Sequence, residues 1–213
     1  MAVIFSGENP GLTLFKPGTE DRVADATGVY PRALAEYEAA LKLFRQLGDQ
    51  TYISYMTHNS GLIAYFQGDY ERARQLFTES LSMIDDENSR ALTLGNLSLV
   101  ALAEGRLDDA LTLQREALAN WRQITNLPWL ARGLEHFALI AIAAGDAAHG
   151  ARLFGAAAAE RARIGGSQPD NDRALNDRAI VQGEAALGAA AFAQCWAEGE
   201  ALALPDAIAL ALR

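Results

Sequence analysis

Along most of the chain, apolar residues recur three and four positions apart, the period of a helix buried on one side. Before Gly105, Leu94, Leu97, Val100 and Ala101 share one face. After it, Leu107, Ala110, Leu111, Leu118 and Trp121 share another. From about Leu34 to Ile164 no run alternates with the period of two that a strand requires. The pattern predicts helices, separated by short turns.

Those turns repeat. Gly28-Val29-Tyr30, Gly68-Asp69-Tyr70, Gly105-Arg106-Leu107 and Gly145-Asp146-Ala147 place their glycines 40, 37 and 40 residues apart. Five residues past each glycine sits Ala33, Ala73, Ala110 or Gly150, and four residues before the last three sits Ala64, Ala101 or Ala141. Small side chains there let two helix backbones approach across a short turn. Glycine ends the first helix with a positive φ, and Asp69 or Asp146 caps the second. The unit is an antiparallel helix pair that must stack on its neighbour to hide its apolar face.

Both ends depart from this pattern. Residues 1–18 hold two β-prone runs, Ala2-Val-Ile-Phe5 and Leu12-Thr-Leu-Phe15, around a Pro/Gly turn, and read as a hairpin or an extended N-terminal arm. Repeats are expected over 19–165. After the break at Gly165-Gly166-Ser167-Gln168-Pro169, residues 166–213 form a helical cap of three stretches, Asp170–Leu187, Ala189–Gly199 and Leu204–Leu212, over the open face of the last repeat.

In this register the repeats resemble tetratricopeptide units of the longer type found in MalT-like bacterial regulators. Gly68-Asp-Tyr-Glu-Arg-Ala-Arg-Gln-Leu-Phe77 resembles the family's turn and second helix, and Leu97-Ser-Leu-Val-Ala-Leu-Ala-Glu-Gly105 its first-helix end. Ala151-Arg-Leu-Phe-Gly-Ala-Ala-Ala-Ala-Glu160, Ala185–Phe192, Trp196–Leu204 and Ala207–Leu212 resemble the end of large LuxR-type regulators and related STAND ATPases. The resemblance implies an all-α, right-handed α-solenoid of helix pairs with a C-terminal cap, used as a regulatory scaffold. In such proteins the region follows a nucleotide-binding domain and often precedes a DNA-binding helix-turn-helix.

Neither partner domain is expected in this chain. Its two lysines, Lys16 and Lys42, follow Phe15 and Leu41, whereas a phosphate-binding loop needs lysine directly after its last glycine. Gly150-x4-Gly155 and Gly183-x4-Gly188 have the glycine spacing but continue into alanine. With 18 basic against 27 acidic residues and a formal charge of −9, direct nucleic-acid binding is disfavoured. A single cysteine, Cys195, excludes an internal disulfide, and burial beside Trp196 is the expected role for it. No window reaches the roughly 20 apolar residues of a membrane helix, and the composition fits a cytoplasmic chain.

The register assigns a concave wall to the first helix of each pair. Tyr55, His58, Asn59, Leu62, Tyr65 and Phe66 lie on the second repeat, Leu92, Asn96, Leu99 and Leu102 on the third, and Arg132, Glu135, His136, Leu139 and Ile142 on the fourth. Such a wall is apolar in the middle, with polar aromatic groups at one end and an Arg132/Glu135 ion pair at the other, and suits an amphipathic helix or apolar peptide. The competing expectation is that the chain's own arm or cap helices fill it, because monomers rarely leave large apolar patches open. Asn59, Asn96 and His136 stand nine residues before successive turn glycines, as an amide ladder between repeats or a hydrogen-bonding row for a ligand. Trp121 and Trp129 are expected as an aromatic plug between the third and fourth repeats.

Chemistry is sparse. His58, His136 and His149 lie on different helices without metal-binding spacing, and no serine or cysteine has the setting of a nucleophile. The expected function is non-catalytic, without cofactor or metal: a protein- or peptide-binding module, with self-association open to it through its Ala-rich surfaces. The alternative is a sensor whose same groove closes around a sugar or metabolite.

Overall fold

The computed structural model describes residues 26–124, 127–166, 168 and 170–213, and every regular element among them is an α-helix. In chain order these are α1 (Ala26–Leu47), α2 (Gln50–Phe66), α3 (Tyr70–Leu81), α4 (Glu87–Ala103), α5 (Leu107–Ile124), α6 (Leu127–Ala143), α7 (Ala147–Ile164), α8 (Asp170–Leu187), α9 (Ala189–Glu200) and α10 (Leu204–Ala211). They fall into two compact units, one ending at Met83 and the other beginning at Ile84. The expected arm at 1–18 lies outside the described residues.

Helix starts are set by aspartates. Asp49, Asp69, Asp86 and Asp146 each accept a hydrogen bond from the backbone N–H three residues on, at 3.2, 3.1, 2.8 and 2.9 Å. Each such cap contributes about 1 kcal/mol. The turns end as the repeat pattern requires: Gly105 has φ +74°, and Gly105 N–H and Arg106 N–H return to Leu102 and Ala101 carbonyls. One expected turn is corrected. Gly28 lies inside α1, which runs on through Pro31 to Leu47, and the turn glycine that follows is Gly48, at φ +70°. A glycine within a helix costs only about 1 kcal/mol, so it does not by itself interrupt one.

In the N-terminal unit α2 packs against both α1 and α3. Its core is Tyr37, Leu41, Ile53, Met56 and Ile63, with Ala33, Leu34, Ala40, Phe44, Tyr55 and Met83 packed around it. A Cβ on Gly61 would stand 2.9 Å from the Phe77 ring, so α2 and α3 meet closely there. Ser80 Oγ donates to the Ser54 carbonyl at 2.9 Å between the same two helices.

In the C-terminal unit α4 to α7 pack each on the next, which makes two stacked pairs. The small residues flanking the turn work as expected, since Ala101 and Ala110 are fully buried against Ile140. Trp121 is fully buried and stacks on Trp129, with ring centroids 6.0 Å apart and 12° between planes. Three helices follow where three were expected. α9 and α10 both pack on α7, α10 also touches α6, and α8 lies against α6, α7 and α9. Cys195 is buried.

Candidate functional site

In the N-terminal unit the sequence-derived wall falls on α2. His58 and Asn59 are buried, His58 with its ring 5.2 Å from Phe77. Tyr55, Leu62 and Tyr65 stay half-buried, as do Tyr52 and Phe66. The aromatic rings cluster at both ends of the helix. Tyr52 meets Tyr55 edge-on at 6.1 Å, and Tyr65 lies 5.4 Å from Phe66 and 5.7 Å from Tyr70. Between them the Asn59 Oδ1 is buried and accepts no hydrogen bond. This face joins large, partly wet aromatic surface to one unused acceptor, a combination suited to peptide contact.

The same unit carries a groove of about 470 Å³ between α1 and α3, floored by α2. Leu34, Leu41, Ile63, Ala64 and Leu76 give it an apolar lining. Arg45 and Glu79 bridge the groove near one end, N to O 3.7 Å, while Glu38 and Arg72 also line it. The Thr57 hydroxyl, buried in the lining, has no protein hydrogen-bond partner. The inner-face register did not anticipate this groove. Its signal was nonetheless present, because Leu34, Glu38, Leu41 and Arg45 repeat at helical spacing beside the core stripe.

In the C-terminal unit Asn96, Leu99, Arg132, Glu135 and His136 are all buried. Arg132 and Glu135 each take a partner from another helix. Arg132 forks onto Asp172 of α8, with Nε to Oδ2 2.6 Å and Nη2 to Oδ1 3.1 Å. Its Nη2 also donates to Asn96 Oδ1 at 3.3 Å, and its guanidinium lies 5.4 Å from the Trp129 ring centre. Glu135 receives the fork of Arg161 from α7, at 2.6 and 2.8 Å. Of these two partners, Asp172 comes from a helix beyond the repeats and Arg161 from the neighbouring helix α7.

Of the expected row, Asn96 and His136 are buried in this unit, His136 with a hydrogen bond to the Gly95 backbone. Another backbone group is met by Gln114 of α5, whose Nε2 donates to the Gly133 carbonyl at 3.1 Å. Its Oε1 lies 3.3 Å from His136 Nδ1, so Nδ1 carries the proton and Nε2 is left buried without a partner. Burial, reinforced by the nearby Arg132 charge, pushes the His136 pKa down to about 3. Burial alone would raise Asp172, but the Arg132 charge and hydrogen bonds outweigh it and hold the carboxyl below its ordinary value.

These shifts give the unit an acid sensitivity. The unfolded chain takes up a proton at His136 near pH 6.5, whereas the folded chain refuses it until about pH 3. Stability thus falls as pH drops below 6.5, by about 2 kcal/mol between pH 7 and pH 5. Asp172 adds its loss only below the ordinary carboxylate range, as pH falls toward its lowered folded value. All three tryptophans lie in this unit, so urea unfolding followed by their fluorescence reads it selectively. His136→Gln is expected to remove most of the difference between pH 7 and pH 5, whatever it does to stability at pH 7.

Sequence reasoning missed Asp172, Arg161 and Gln114. Asp172 and Arg161 lie 40 and 26 residues from their partners, and a charge on a helix is ordinarily a solvated one. Among the described residues no group of three His, Cys, Asp or Glu side chains is placed to hold a metal ion, and no helix is long and apolar enough to cross a membrane.

Helix pairs joined by glycine turns, with small residues at the crossing, define a helical-repeat protein. Two tetratricopeptide-repeat family profiles match, one over residues 23–86 and the other over 90–126, so these segments are similar to tetratricopeptide repeats. The photosystem I assembly protein Ycf3 of Rippkaea orientalis is 34% identical over 112 residues, covering 49% of this chain and 61% of that protein. The regulatory protein AfsR of Streptomyces coelicolor is 28% identical over 116 residues, 53% of this chain but 12% of AfsR. Ycf3 of Prochlorococcus marinus is 32% identical over 65 residues, 30% of this chain and 38% of that protein. The chain thus spans under two thirds of each of these relatives.

Proposed function

We propose that the chain is a non-catalytic protein- or peptide-binding module of a regulatory protein related to LuxR/MalT-type regulators. In this reading the repeats over 19–165 bind, the segment from 166 caps them, and the protein works in the cytoplasm without contacting nucleic acid. The observation that carries it is the partly exposed aromatic face of α2, where Tyr55, Leu62 and Tyr65 flank the unused acceptor of Asn59. Aromatic anchors around a buried polar group are the usual makings of a binding hot spot. Two relatives, one named an assembly protein and the other a regulatory protein, support a role exercised through other macromolecules.

A second reading has its own support. The α1–α3 groove, with an apolar lining and the unpartnered Thr57 hydroxyl, is of a size that takes a small metabolite.

A thermal-shift screen with amphipathic helical peptides on one plate and sugars and metabolites on another separates the two. The module reading expects a peptide that raises Tm, with affinity reduced about 10- to 100-fold by Tyr55→Ser combined with Leu62→Ser. A metabolite shift abolished by Thr57→Val, with no peptide response, establishes the sensor instead.

A further inference from the structure

Helix α8 is held unlike its neighbours. Its buried stripe is Asp172, Asn176, Ala179 and Gly183, so the largest apolar group fully buried on it is a methyl. Leu175, Ile180 and Leu187 are half-buried, and Val181 is 64% exposed. By contrast α6, on which it lies, buries Leu130, Leu134, Phe137, Leu139 and Ile140. The fork between Asp172 and Arg132 ties α8 to α6.

The receiving side of that fork belongs to the repeats. Arg132 is positioned by Asn96 from α4 and by the Trp129 ring from α6, so it stays presented to a carboxylate whether or not α8 is in place. Around it the fit is incomplete. Asn176 Nδ2 on α8 and His136 Nε2 on α6 are both buried without a hydrogen-bond partner. Asp172 lies beside Arg132 and Gly183 beside Ile142, so α8 runs along α6 in the same direction, and Asn176 and His136 each stand one turn beyond the fork. The helix is bounded by Gly165-Gly166 and by Gly188, and α9 is fastened to α7 through separate contacts at Gly155 and Gly199.

We propose that the α6–α7 face beneath α8 is a binding surface for an acidic helix, that α8 occupies it in cis, and that a partner helix with an aspartate on Arg132 exchanges with it. Few buried apolar contacts make α8 a unit that opens below the global unfolding free energy. A buried ion pair contributes less to net stability than to geometry, which suits a contact that is made and released. An incoming helix with a group that satisfies His136 Nε2 fits better than α8 does, so it wins the surface without new architecture. The proposal does not depend on the α2 face, and either can fail alone.

Hydrogen exchange on the full chain tests the opening. Amides of 172–187 are expected to exchange at least 100-fold faster than those of α6 and α7. Asp172→Ala is expected to speed the α8 amides a further tenfold or more and those of α6 and α7 by no more than the same factor, so that α8 stays the faster. A fluorescein-labelled peptide of residues 170–187 tests the surface. It is expected to bind the Asp172→Ala protein at least tenfold more tightly than the wild type, and to lose that binding when its own aspartate at 172 is alanine. Equal protection of α8, α6 and α7 in the wild type overturns the proposal, as do α8 amides that exchange no faster in Asp172→Ala. Peptide binding indifferent to the aspartate overturns it too.

Discussion

Replacing Gly199 by alanine is expected to lower the stability of the C-terminal unit by about 3 kcal/mol, at the upper end of overpacking costs. A Cβ at that position would fall inside contact distance of the Arg152 carbonyl oxygen and 2.7 Å from its carbonyl carbon. Gly155 is the reciprocal case, with its Cβ 2.9 Å from the Trp196 carbonyl carbon. The obstacles are helix backbone on both sides, so no rotamer change relieves them and α9 must lift from α7. Stacking of Phe154 on Trp196, centroids 6.1 Å apart, is lost with the crossing. Cys195, the only cysteine, lies in α9, so its alkylation by a maleimide should accelerate in step with the loss seen by tryptophan fluorescence in urea. Ala197→Ser, on the exposed side of α9, serves as the near-neutral control. An unchanged urea midpoint in Gly199→Ala would mean that α7 and α9 do not cross at these two glycines.

That crossing leaves a mark in the sequence, as do three of the four expected turns, at Gly68, Gly105 and Gly145. Gly105 needed a positive φ because one helix ends there and the next begins two residues later, and Ala101 and Ala110 needed to be small because two backbones meet. Gly155 and Gly199 carry no such turn signature, yet glycine inside an alanine-rich helix sacrifices about 1 kcal/mol of helix preference, which is itself a sign of close approach. Gly28 shows the opposite error, since a spacing near 40 residues was satisfied by a glycine that the helix absorbs. Period alone assigns the wall residues to the segments that form α2, α4 and α6. What period does not carry is the partner: Arg132 and Glu135 have the same inward register whether they meet a peptide or the chain's own Asp172 and Arg161. Charge pairing over such separations depends on where the cap comes to lie, which one strand of sequence does not encode locally.

Glu135→Ala is expected to destabilise the C-terminal unit by about 3–5 kcal/mol, because it leaves the Arg161 guanidinium buried without its carboxylate. The pair sits deep, with side-chain exposures of 11% for Arg161 and 4% for Glu135, so water does not readily replace what is lost. The double variant Glu135→Leu with Arg161→Met is expected to recover to within about 1 kcal/mol of the wild type or to exceed it, since both desolvated charges go together. Urea unfolding of the two single variants and the double completes the cycle, and a large favourable coupling is the expected result. The double variant also separates structure from recognition at this wall. If Glu135 only holds α6 against α7, the uncharged pair keeps both the fold and the affinity of the Asp172→Ala background for the 170–187 peptide. If Glu135 instead directs the incoming helix, the fold survives and the peptide is lost. The first outcome is expected, because both carboxylate oxygens of Glu135 are already engaged by Arg161 within the repeat pair.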